Sequence, residues 1–214
     1  MTTTAARVSG VMTGVSFVTG IAGAIRLAKT PIPRPGAPVA AVREYYSGSS
    51  TAVRFSVTGQ AVSIASLLVF TRAAARLARQ GSTGRGLGDV LIGSGVASAA
   101  LLTASAVTHA SLSVPADRDD GTVLRRARRV FVLGGPVHGV SYGIFTGALA
   151  LAGSRAGLWG RAGLATGTVS AAAGVLSPAY FKWDAAGWLI PIGRFSGYAL
   201  GAIAGLRIAH RASI

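Results

Sequence analysis

The chain has no cysteine, which excludes disulfides, thiolate metal sites and cysteine nucleophiles. Acid is nearly as scarce, with six Asp and Glu against 21 Lys and Arg. Charged residues of either sign make up 13% of the 214, where a soluble domain carries roughly 25%. Aromatic residues are only 7%. What is present is small and apolar: 50% of residues are hydrophobic, 30 are glycine, and the mean hydropathy is +0.53. That balance belongs to the membrane class.

A spanning helix needs roughly 20 predominantly apolar residues. Six runs qualify as expected spans: 10–28, 55–74, 90–111, 130–152, 162–181 and 186–209. The expected fold is therefore all-α, a polytopic transmembrane helix bundle forming one integral membrane domain over 1–214. The first run, behind Arg7, has the look of a signal peptide, but it continues to Ala28 without a clean small-x-small site. It is read as an uncleaved span. The longest connection, Lys29 to Thr51, is proline-rich and reads as a surface loop or short interfacial helix. "DRDD" at Asp117 to Asp120 and "RRARR" at Arg125 to Arg129 read as one charged loop facing headgroups.

The formal charge of +15 and pI near 11.8 do not indicate nucleic acid, because the basic residues flank hydrophobic runs instead of gathering on one soluble face. Anionic lipid headgroups are the partners that this placement implies. With six spans, Arg7, Arg72, Arg76, Arg79, Arg85, Arg155, Arg161, Arg207 and Arg211 share the side of the termini, and the majority of basic residues fall opposite. The opposite side also holds most acids and the longer loops, where the positive-inside rule is weakest, so the termini are assigned to the cytoplasm.

The chain matches itself at an offset of 75. Arg54 to Ala75 laid on Arg129 to Ala150 agrees at nine of 22 positions, among them Gly59/Gly134, Ser66/Ser141, Phe70/Phe145 and Thr71/Thr146. Residues 54–112 and 129–181 are read as a parallel duplication of a two-helix unit.

Small residues four apart let membrane helices approach closely. Gly135, Gly139, Gly143 and Gly147 form one ladder, and Gly193, Gly197, Gly201 and Gly205 form a second. The expectation is that spans four and six, running in the same direction, pack through them within the protomer. A homo-oligomer seam is the alternative.

Polar residues at membrane depth are the candidate functional groups. Pro136 falls in the first turns of span four, where a helix has few hydrogen bonds to lose. His138 and Tyr142 are neighbours on one face. Arg194 lies about 12 Å inside the sixth span at 1.5 Å per residue. Its guanidinium is expected to snorkel back to the headgroups past Trp188. The alternative is a ligand pocket of His138, Tyr142, Arg194, Ser196 and Tyr198 that takes an anionic or lipid-like molecule. No cofactor is expected, although His109 and His138 fall in the same leaflet half and leave haem as an option. No metal site is expected. No Asp or Glu lies within a span, so the carboxylate relays of proton- or sodium-coupled carriers are missing. There is no P-loop, HExxH or GxSxG, and no catalytic residue is assigned.

In "PGAPVAAVREYYSGSSTAVRFSVTGQAVSIAS", Pro35 to Ser66, a loop with a tyrosine pair leads into a small-residue span. With the six-span layout and short arginine-rich turns, this resembles the small multi-span membrane proteins of GC-rich actinobacteria. The resemblance implies a plasma-membrane location and carries over no active-site residue. The expected role is a non-enzymatic accessory subunit, or a binder of lipid or hydrophobic small molecules. A small oligomeric transporter with a pocket between spans four and six, and a lipid-modifying intramembrane enzyme, are the alternatives.

Overall fold

Apolar segments without water to bond to must satisfy their backbone internally, and helices do so within one segment. The computed structural model describes residues 3–80, 84–114 and 119–211, and no strand occurs among them. The helices are α1 (Thr3–Leu27), α2 (Val39–Gly48), α3 (Ser50–Arg79), α4 (Gly84–Leu112), α5 (Asp120–Val132), α6 (His138–Arg155), α7 (Arg161–Leu176) and α8 (Leu189–Arg211). Among the described residues, four stretches are long and apolar enough to cross a membrane: Thr4–Leu27, Ser50–Arg79, Arg85–Leu112 and Asp184–His210.

The expected fourth and fifth spans take a different form. Residues 130–152 are not one regular helix, because a π turn at Leu133–Val137 containing Pro136 joins α5 to α6. The helical path begins as early as Asp120, so Pro136 lies deep inside it and not in its first turns. A proline there removes a donor and clashes with the preceding turn, and one wider turn absorbs both. Residues 162–181 are helical only to Leu176 and continue as a 3₁₀ turn, Ser177–Phe181, where Pro178 follows.

The expected charged loop is also corrected. Its arginines belong to amphipathic α5, which starts because the Asp119 carboxylate accepts the Thr122 N–H at 2.8 Å and the Thr122 hydroxyl at 2.6 Å. Those bonds hold the Asp119 carboxyl below its ordinary range. Asp120 pairs with Arg43 at 2.8 Å and so ties α5 to α2. Asp117, the first acid of that motif, lies outside the described residues, as does Arg118.

The long helices form a ring in chain order. α1 packs on α3, α3 on α4, α4 on α6, α6 on α7 and α7 on α8, and α8 closes on α1. Each contact is antiparallel, and most are made at small residues. Gly20 faces Gly59 between α1 and α3, where a β-carbon on Gly59 would stand 2.7 Å from the Gly20 Cα. Gly143 faces Gly174 between α6 and α7, and Gly10 faces Gly201 and Gly205 where the ring closes. Leu67, Leu91, Leu102, Leu149 and Leu200 fill the core between the helices, and other aliphatics point the other way. Val15, Val69, Val96, Ile144, Val169 and Ile203, one from each ring helix, are exposed on the outside. Serines and threonines are buried within. Aliphatic side chains on the outside are what packing against lipid requires.

Both glycine ladders pack inside the chain, but not on each other. Gly139 meets Ser177 of the turn after α7, and Gly143 and Gly147 meet α7 itself at Gly174 and Ala171. The ladder of α8 is divided: Gly193 rests on Gly174 of α7, whereas Gly205 rests on Ala6 and Gly10 of α1. Gly135 stands apart, with only ordinary contacts to Phe131 and Ile190. α6 and α8 do run in the same direction and touch, but through the side chains of Tyr142 and Thr146 against Gly197. A ladder needs a partner that offers backbone at close range, and an antiparallel neighbour in the ring supplies it.

Candidate functional site

The π turn creates the site. In an α-helix the Gly134 carbonyl would accept the His138 N–H, but that N–H points instead to the carbonyls of Leu133 and Gly135. The half-buried Gly134 carbonyl is thereby released from its α-helical donor and open to another. Arg194 of α8 supplies it: its Nη2 donates to the Gly134 carbonyl oxygen. The same nitrogen lies 3.1 Å from His138 Nδ1. The guanidinium stands 4.7 Å from the centre of the Phe17 ring of α1, a cation–π distance. The side chain therefore does not return to the headgroups as snorkelling would require. It crosses to α6 and α1, because the freed carbonyl and the aromatic face lie inward.

Aromatic rings extend the cluster towards the bundle centre. His138 stacks on Tyr142 at 5.5 Å with an interplanar angle of 16°. Tyr142 meets Phe145 at 6.1 Å and Tyr198 at 5.5 Å, and Tyr198 meets Phe17 at 5.5 Å. The Tyr198 phenol reaches Ser63 of α3, whose hydroxyl donates to the Thr13 carbonyl of α1 at 2.6 Å. One helical turn from Ser63, the Gln60 amide oxygen is buried without a partner among the described residues. Below the arginine, Ser170 Oγ lies 3.0 Å from Thr146 Oγ1 and 2.6 Å from the Gly193 carbonyl, which joins α6, α7 and α8 at one point.

Four of the five residues expected to form a pocket thus come together: His138, Tyr142, Arg194 and Tyr198. Ser196 does not join them. It lies two positions from Arg194, on another face of α8, and its hydroxyl returns to the Ile192 carbonyl at 2.5 Å. The two histidines take different surroundings. His109 packs edge-on against Tyr46 at 5.6 Å, with its Nδ1 buried and unpartnered. His138 offers its Nδ1 to the guanidinium, which competes with any metal ligation there.

Arg194 is electrostatically open. The ion pairs among the described residues are Arg43–Asp120 and Arg79–Asp89, both exposed, and neither involves it. Its Nη1 and Nε donors make no hydrogen bond among the described residues. A guanidinium has five N–H groups in a fork that suits a carboxylate or phosphate, and two N–H groups at most are engaged here. Sequence reasoning missed Phe17, Gln60 and the Gly134 carbonyl. A lone aromatic and a lone amide in otherwise small-residue spans were the available signals for the first two. The third depends on a backbone geometry that Pro136 merely permits.

Fold and site together define a class: an all-helical bundle with membrane-length helices, packed through glycines around one cationic, aromatic-lined centre. Neither a family model, a curated protein nor a solved structure matches the chain.

Proposed function

We propose that the protein is a non-enzymatic component of the plasma membrane that binds a lipid-like molecule bearing an acidic group, with Arg194 as the recognition residue. The observation that carries this reading is the guanidinium held inside the bundle with no carboxylate beside it and donors to spare. Arg194 is half-buried, and a cation partly withdrawn from water without a counter-ion is costly; an anion from outside the chain removes that cost.

The proposed architecture has six spans, with α6 and α7 crossing as the second copy of the α3–α4 hairpin. Supporting this, α6 and α7 expose Ile144, Leu151, Leu164, Val169 and Val175 in the same way as the longer helices expose theirs. The two hairpins also close alike. Thr71 meets Gly95, and 75 residues on, Thr146 meets Ser170. Phe70 and Phe145, equivalent in the repeat, touch edge to face at 6.2 Å. The termini are proposed to be cytoplasmic, since the helix ends beside the short connections after α3 and α6 carry Arg76, Arg79 and Arg85, and Arg155 and Arg161.

The test is native mass spectrometry of the full chain gently extracted from its own membrane, beside Arg194→Gln. Glutamine can still donate to the Gly134 carbonyl but has no charge. The wild type is expected to retain one acidic amphiphile that Arg194→Gln does not, and Arg194→Ala should behave like Arg194→Gln. Identical adducts on all three proteins would remove the reading. A foreign protein retained in its place would make the chain a subunit.

A further inference from the structure

A second feature lies on the side of the bundle opposite the termini, apart from Arg194. The proline loop of residues 30–37, α2 and α5 enclose an open cavity of about 540 Å³. That is within the roughly 300–1,000 Å³ of small-molecule sites. Its walls are apolar, chiefly Ile32, Pro33, Val42, Leu124, Ala127 and Phe131. Tyr46 closes one side, and burial pushes its phenol up, so it stays a neutral polar group.

Two arginines also line this cavity, Arg34 from the loop and Arg128 from α5, and both are exposed. Neither forms an ion pair among the described residues. Among the described residues, Asp120 is held by Arg43, Asp119 accepts from Thr122, and Glu44 lines a neighbouring cavity across the proline loop. The cavity also lies at the level of an interfacial aromatic belt. Phe131 packs on Tyr180 at 5.2 Å, and Trp183 and Trp188 of the following turns are exposed. Such rings sit at the headgroup level of a bilayer.

We infer that this cavity is a binding site for one anionic phospholipid, with an acyl chain along the apolar wall and the phosphate between Arg34 and Arg128. The apolar wall selects lipid over free phosphate, because an inorganic anion would leave it bare. The two arginines, without an ion pair among the described residues, select an anionic over a zwitterionic headgroup. Each basic residue near a membrane surface contributes about fivefold to such a preference, so the pair contributes on the order of thirtyfold.

The experiment reconstitutes the full chain in nanodiscs of phosphatidylcholine with a minor share of phosphatidylglycerol, then counts retained lipids by native mass spectrometry. The wild type should retain phosphatidylglycerol well above its share. Arg34→Ala/Arg128→Ala should lose that enrichment by on the order of thirtyfold. Arg34→Lys/Arg128→Lys should keep most of it, and the same loss on double alanine substitution should appear in the Arg194→Gln background, where no lipid held at the deep site is counted, which separates this site from the deep one. Ala127→Phe, which fills the wall, should abolish retention; if that variant fails to fold, the exposed arginine pair still decides. Equal retention of the two lipids, an unaltered count in the double alanine variant, or complete displacement by inorganic phosphate would overturn the site.

Discussion

Gly174→Leu is expected to abolish the folded bundle. A β-carbon at this position would lie 2.5 Å from the Gly139 carbonyl oxygen and 2.8 Å from the Gly143 Cα. On the other side, a β-carbon on Gly193 would already stand 2.9 Å from the Gly174 nitrogen. Three helices therefore meet at one residue, and what surrounds it is backbone, which cannot rotate aside. Overpacking among mobile side chains costs about 1–3 kcal/mol. Forcing α6 away from α7, with α8 already tight against the same backbone, should exceed that, and few single substitutions do. The measurement is the thermal midpoint of monodisperse protein in detergent, with Gly93→Leu as the reference. Gly93 is exposed and meets nothing within 4 Å, so its replacement should hold or raise the midpoint, because glycine costs a helix about 1 kcal/mol relative to alanine. Equal midpoints for the two variants would show that the bundle is not packed at Gly174. The consequence reaches the site, since Gly193 immediately precedes Arg194.

Trp159→Ala should lose about 3–5 kcal/mol, the usual cost of emptying a large aromatic site. Trp159 folds back from the α6–α7 connection into a slot between Gly153 and Gly163, and it is 7% exposed. Its indole N–H donates to the Ala150 carbonyl at 3.1 Å. Gly157, with φ of +63°, supplies the left-handed turn that aims the ring inward. Arg207 of α8 donates to the neighbouring Leu158 carbonyl, so a collapsed connection also frees the end of the ring-closing helix. Trp159→Phe should lie between wild type and alanine, because it keeps most of the volume and drops the hydrogen bond. Chemical denaturation in mixed micelles would measure the series. An alanine variant as stable as wild type would mean that the slot is not filled by the indole.

Much of the fold was legible because its determinants are local. Apolar runs that must satisfy their own backbone are helical, and α1, α3, α4 and α8 cover the first, second, third and sixth expected runs. The glycine ladders were visible as helix faces for the same reason of period. Their partners were not, because a ladder reads alike whichever helix it meets. Only the ring order brought Gly143 to Gly174 and Gly205 to Gly10. The site was legible in its residue types: His138, Tyr142, Arg194 and Tyr198 stood out as polar groups in apolar surroundings. Ser196 was included by proximity in sequence, and helical rotation placed it elsewhere.

The amino-acid sequence alone determined that this chain is a helical membrane-type protein, with small faces turned inwards and no carboxylate at depth, since each of these depends on composition and period. Only the tertiary structure decided where the charge of Arg194 goes. Pro136 could have ended a helix or begun one. Placed inside a continuous path, it forced a π turn, freed the Gly134 carbonyl, and gave the guanidinium an inward partner beside Phe17. An unsatisfied backbone group inside a bundle is too costly to leave unpaired, and which side chain meets it depends on helices brought together from opposite ends of the chain.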